Sequence, residues 1–238
     1  MAASQHTIAG TVLTMPVQVR KATQQMAMFL VDANAAQRLI GYSGLQAAHV
    51  LPGRAAVALT LAHFIDGDLG SYHEFSTTVV VNQPGSKVSG LRALQSGFIH
   101  HMLVDQAFTL EAGRTIWGFP KVMADFRIRE GGRFGFEVSA AGQRVVDLEF
   151  RRGLPVPSAL TSRKRELRSY AHRDGHTFET EFTMSTVGSR YRPGGVWLRL
   201  GDHPYAEELA SLGMPKRATL SSSAVNLKMS FGDAREIS

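Results

Sequence analysis

Short runs of apolar and β-branched residues, separated by turn signals, constrain this chain more than any other feature. Residues 26–31 (MAMFLV) and 57–65 have strand length. So do 71–82, 97–104, 134–139, 144–150, 177–186, 196–200 and 218–231. Residues 122–129 alternate, with Phe126 and Ile128 facing one way and Arg127 and Arg129 the other. Asp66-Gly67-Asp68 joins two runs that read as antiparallel partners, and Glu130-Gly131-Gly132-Arg133 and Ala141-Gly142 read as hairpin turns. Helical pattern is scarce. Asp32 is an N-cap signal for a helix over 33–40 ending at Gly41. Asp105 is one for a helix to about Ile116 with Gly118 beyond, and Asp202 for a helix to Leu212 with Gly213 beyond. About ten strands and three short helices predict an α+β protein with a large antiparallel sheet, curled into a barrel.

With 238 residues, 44% of them hydrophobic, the chain can bury a core without disulfide or metal staples, and no linker forces a boundary inside it. One domain over 1–238 is expected. Cysteine is absent, which excludes disulfides, thiolate nucleophiles and cysteine-ligated metal centres and suits a cytoplasmic location. No run approaches the ~20 apolar residues of a membrane span, and residues 1–11 lack a signal-peptide pattern. The net charge of +6 raises nucleic-acid binding. The dense cluster Arg163, Lys164, Arg165 and Arg168, with Arg151 and Arg152 upstream, carries no recognition motif. It is read as a solvated face or subunit contact, with a steep loss of affinity in salt as the test of the alternative.

The chemistry concentrates at Lys121. Of six lysines, five have polar or turn-like neighbours, whereas Lys121 stands among Trp117, Phe119, Pro120, Val122 and Met123, where a helix hands over to a strand. An amine attacks a carbonyl only when neutral, and apolar surroundings disfavour the ammonium form. Composition alone also allows a lysine whose head snorkels into water. His100-His101 resembles a metal pair, but consecutive strand residues point to opposite faces, so both are read as structural and no metal is expected.

The segment Gly113-Arg114-x-x-x-Gly118-Phe119-Pro120-Lys121 resembles the Schiff-base lysine segment of the acetoacetate decarboxylase family. His101-Met102-Leu103-Val104-Asp105 with Glu111-Ala112-Gly113-Arg114 resembles the strand and helix that lead into it. Gly67-Asp68-Leu69-Gly70-Ser71-Tyr72-His73-Glu74 resembles the turn and strand bearing the family's pocket glutamate. The resemblance runs from about residue 20 to 150. It implies a cone-like antiparallel barrel within a larger sheet, in a homo-oligomer. It also implies a cofactor-free lyase that acts on a small β-keto acid or related carbonyl compound. Lys121 would be the nucleophile, Glu74 a pocket acid, and Arg20 the arginine that holds the substrate carboxylate. Arg114 could bind a carboxylate too, or pair with Glu111 at i,i+3 spacing.

Two positions depart from the family pattern. Val122 stands where decarboxylases carry a second lysine, and Leu59, beside Thr60, where they carry a second glutamate. Members of this superfamily also run aldol-type and dehydration steps on the same lysine, and a non-catalytic binding barrel is a further reading. The expected partners are a small carbonyl compound and copies of the chain itself, with neither nucleic acid nor membrane.

Overall fold

The computed structural model describes residues 4–237. A hairpin of β1 (Gln5–Ile8) and β2 (Thr11–Thr14) precedes the long β3 (Val17–Asp32), which runs into α1 (Ala33–Ile40). Three strands follow: β4 (Arg54–Gly67), β5 (Tyr72–Val80) and β6 (Ser96–Val104). Then come α2 (Ala107–Trp117) and the short β7 (Lys121–Met123). β8 (Asp125–Arg129), β9 (Phe134–Ala140) and β10 (Gln143–Phe150) form a meander. β11 (Leu154–Pro155), α3 (Ser158–Thr161), β12 (Arg165–Arg173), β13 (His176–Val187), β14 (Arg190–Pro193) and β15 (Val196–Leu200) come next. α4 (Pro204–Ser211) and β16 (Leu220–Glu236) complete the order.

Seven strands close on themselves in the order β3-β4-β5-β6-β12-β13-β16, with β16 returning to β3. Every neighbouring pair in the ring is antiparallel except β6–β12. β7 lies parallel to β6, and β14 and β11 extend the sheet from β16. A second, four-stranded sheet in the order β15-β10-β9-β8 stands apart from the ring. Its Phe136, Val138 and Leu148 share an apolar core with Phe29, Leu59, Leu61 and Phe75 of the barrel strands, and with Leu209 of α4. The α+β barrel is thus present. The sixteen strands and four α-helices among the described residues exceed the predicted count, chiefly because β1, β2, β12 and β14 carry too many polar residues to stand out.

The strands are two-faced. On β4, Val57, Leu59 and Leu61 enter the inter-sheet core, while Ala58, Thr60, Ala62 and Phe64 line a cavity inside the barrel. On β5, Tyr72, Glu74, Ser76, Thr78 and Val80 line the same cavity, as the period of two requires. Asp32 caps α1 as its sequence predicts, its Oδ1 accepting from the Ala35 N–H at 2.9 Å. The other two caps fall one residue late. Gln106 caps α2, its Oε1 accepting from the Thr109 N–H, and His203 caps α4, its Nδ1 accepting from the Tyr205 N–H. Asp105 instead accepts from the backbone N–H of His73 at 2.8 Å and meets its Nδ1 at 2.8 Å. No helix among the described residues is long and apolar enough to cross a membrane.

Candidate active site

Three elements bring the lysine to the cavity. α2 ends at Gly118, whose φ of +65° is the left-handed conformation that glycine adopts without a Cβ clash, and whose N–H bonds back to the Gly113 carbonyl. The chain reverses through Phe119 and Pro120 and enters β7 at Lys121, opposite Met102 of β6. The buried stripe of α2 is Thr109, Ala112, Gly113, Ile116 and Trp117, a helical i, i+3, i+4, i+7, i+8 set. Gly113 leaves room on that stripe for the lysine stem. A Cβ there would lie 2.5 Å from both Cδ and Cε of Lys121.

Lys121 is 2% exposed. Its Nζ lies 2.9 Å from Glu74 Oε2 and donates to Thr109 Oγ1 at 2.8 Å, with the Tyr72 ring centroid 5.2 Å away. Burial, and then the Glu74 charge, raises the Tyr72 phenol well above its ordinary value, so it stays protonated. The amine is buried, but it is not in the purely apolar setting its sequence neighbours suggest. It meets the Glu74 carboxylate and the Thr109 hydroxyl. Lys121 and Glu74 open onto a cavity of about 420 Å³. Near Lys121 its wall is aromatic and aliphatic, including Phe64, Tyr72, Ile99, Met102, Trp117 and Phe119.

Neither arginine expected in the pocket is there. β3 and β4 slip register between Val19 and Ala22, and Arg20 sits in that irregularity with an exposed guanidinium. It donates from Nε to Asp66 at 2.9 Å and from Nη1 to Asp68 at 2.6 Å, across the β4–β5 turn. The bulge breaks the alternation that would have turned Arg20 inward. Arg114 is exposed on α2, and its Nε donates to the Lys121 carbonyl at 2.8 Å instead of pairing with Glu111. It ties the helix to the lysine turn and does not line the cavity. The arginines that do line the cavity are Arg165 and Arg168 of the basic segment. Arg168 is at the level of Ser96 on β6 and Lys121 at that of Met102, so their levels differ by about 20 Å along the strand.

Other expectations shift in the same way. Leu59 is fully buried in the inter-sheet core, and its neighbour Thr60 is the one that faces the cavity. Val122 packs against the same core. Thr109 and Gly113 act beside the amine without a motif that marks them for it. Their signal is a single hydroxyl and a single glycine on an otherwise apolar helix stripe.

His100 and His101 do not point to opposite faces. The β5–β6 register shifts between Thr77, opposite His101, and Thr78, opposite Ile99, so His100 is an extra residue. Ile99 and Met102 line the cavity, while both imidazoles lie outside it and reach Glu208 of α4, with Nε2–Oε2 distances of 2.5 and 3.1 Å. Burial, then His100 and His203, pulls the His101 ring down to about 2, so it stays neutral.

The acetoacetate decarboxylase (ADC) family model matches residues 5–235. Acetoacetate decarboxylase from Legionella pneumophila has a TM-score of 0.70 to this structure at 16% identity, covering 94% of this chain and 87% of its own. The enduracididine biosynthesis enzyme MppR complexed with pyruvate gives 0.64 at 18% identity, with 95% and 92% covered. An acetoacetate decarboxylase-like enzyme from Sphingomonas wittichii RW1 gives 0.61 at 15% identity, with both chains covered in full. No curated protein matches the sequence significantly. At these identities the structural likeness shows a shared fold. The family model spans all but the ends of the sequence, and by that match the chain belongs to the acetoacetate decarboxylase family.

Proposed function

We propose that the protein is a cofactor-free lyase that forms a Schiff base through Lys121 and decarboxylates a β-keto acid carrying an apolar chain. The single observation that supports this best is the Lys121–Glu74 contact at 2.9 Å, open to a largely apolar cavity. Glu74 Oε2 takes a proton from Nζ, and the freed amine attacks the substrate ketone to give a carbinolamine. The proton returns from Glu74 to the departing hydroxyl, water leaves, and an iminium remains. The bond from the α carbon to the carboxylate breaks, its electron pair moves into the iminium, and CO₂ leaves behind an enamine. Protonation at the α carbon and hydrolysis restore the lysine.

An apolar wall suits the step that discharges a carboxylate as a neutral gas, since desolvation raises the anion and not the product. In this reading Thr109, which accepts from Nζ, and the protonated Tyr72 steady Nζ and the carbinolamine oxygen. A cavity of about 420 Å³ holds more than a four-carbon keto acid. One observation favours a second reading, aldol-type or dehydration chemistry on the same iminium. Among the described residues, no arginine lines the cavity near Lys121 to meet a β-carboxylate.

The test is CO₂ release from a panel of β-keto acids of increasing acyl length, with Lys121→Met as control. The proposal expects release that rises with chain length and vanishes in Lys121→Met. Carbon–carbon cleavage or dehydration without CO₂ supports the second reading. No turnover of any β-keto acid or aldol substrate contradicts both.

A further inference from the structure

We propose that His100, His101 and Glu208 form a divalent transition-metal site on the outside of the barrel, taking Zn²⁺ or an ion of like preference. Two neutral nitrogens and one carboxylate oxygen are the donor set such ions choose over Mg²⁺ or Ca²⁺. The three donor atoms lie within 4.8 Å of one another. Two consecutive strand residues can supply two of them only because the β6 bulge adds His100 to the ladder and turns both rings to one side. Their ring centroids are 4.1 Å apart.

The rings are buried and the carboxylate is half-exposed. His100 and His101 are 8% and 4% exposed. The Tyr42 hydroxyl sits 2.8 Å from His100 Nδ1, where its oxygen can accept from Nδ1–H once Nε2 is coordinated. His101 stacks on Tyr205 at 3.8 Å between centroids. The Glu208 side chain is 42% exposed. Ligands bonded to one tetrahedral Zn²⁺ at about 2.0–2.2 Å stand roughly 3.3 Å apart. The present Nε2–Oε2 separations of 2.5 and 3.1 Å open to that spacing by a small outward swing of Glu208.

Three protein ligands leave a coordination position free. His100, His101 and Glu208 line an open cleft of about 720 Å³ together with Arg38, Tyr42 and Tyr205. Water or a small anion would complete the shell there, the arrangement of zinc sites that bind ligands and not of those that only brace a fold. The site is on the reverse face of the strand whose Met102 pairs with Lys121, and it shares no residue with the cavity.

The full chain, stripped with EDTA and dialysed, is titrated with Zn²⁺ by calorimetry and with Co²⁺ by absorption. One equivalent per chain and a four- or five-coordinate Co²⁺ spectrum are expected. Glu208→Gln, a half-exposed change that spares the fold, and His101→Gln should each weaken binding about 100-fold. Lys121→Met should bind as the wild type does. No saturable binding, a purely octahedral Co²⁺ spectrum, or an affinity untouched by Glu208→Gln would overturn the assignment.

Discussion

Gly113 and Lys121 fit together so closely that the helix has room for the lysine stem only while position 113 lacks a Cβ, which would stand 2.5 Å from two of its methylene carbons. Those methylenes belong to a flexible side chain, so they can yield while the backbone stays. Gly113→Ala should displace Nζ from Glu74 and Thr109 and lower the melting temperature, because alanine's helix preference of about 1 kcal/mol offsets only part of the broken pair. Turnover is expected to fall about 100-fold, the scale of a ~1 Å misplacement of a reacting group. Thermal unfolding and steady-state kinetics on the same sample check both halves.

Lys121 is buried and its partner Glu74 is only 14% exposed on the cavity wall, so removing one leaves the other unpaired. Lys121→Met should destabilise the protein by about 3 kcal/mol. The double variant Lys121→Met/Glu74→Leu should recover most of that, because an apolar pair of similar volume replaces both charges. Urea denaturation of the single and double variants gives the coupling directly.

Glu74→Gln and Arg20→Ala separate the groups that meet the amine from one that does not. Loss of the proton acceptor in Glu74→Gln should lower kcat by about 10²–10⁴-fold. Arg20→Ala removes an exposed pairing with Asp66 and Asp68. It should leave kcat and KM within about twofold and the melting temperature little changed. A large rise in KM for Arg20→Ala would restore it to the pocket.

Glu179 links three strands of the barrel wall. It accepts from the Tyr170 hydroxyl of β12 at 2.7 Å and from the Arg235 guanidinium of β16 at 2.6 Å. Burial alone would push its carboxyl up. The hydrogen bonds from Tyr170 and Arg235, with the nearby Arg168 charge, hold it below its ordinary value. A carboxyl lowered in the folded state contributes stability above its unfolded pKa of ~4.3 and loses it as pH falls through the folded value. Glu179→Gln should therefore be about 1–2 kcal/mol less stable than wild type at neutral pH. The gap should close as the pH is taken below the carboxylate range. Denaturant titrations across pH show whether it does.

Much of this was legible in the chain. The Asp32 cap, the hairpins and the inward set Tyr72, Glu74 and Ser76 follow from local turn chemistry and a period of two. Lys121 stood out because its neighbours are apolar. Two of the failures share one cause. Arg20 and His100 both sit in register slips, and an inserted residue reverses the facing of everything beyond it without any mark in the hydrophobic pattern. That is why an inward arginine proved outward, and why two histidines expected on opposite faces share one. The contact between Glu74 and Lys121 joins residues 47 apart and depends on β5 and β7 flanking the same strand, a relationship only the closed sheet supplies.

Reductive trapping reads the covalent bond to Lys121 itself. The protein is incubated with a β-keto acid or simple ketone, treated with borohydride, digested and mapped by mass spectrometry. A mass increase equal to the reduced adduct on the peptide bearing Lys121, lost in Lys121→Met, is the predicted result. An unmodified Lys121 peptide with every carbonyl compound offered, or an adduct confined to the exposed lysines, would rule out a Schiff base at Lys121.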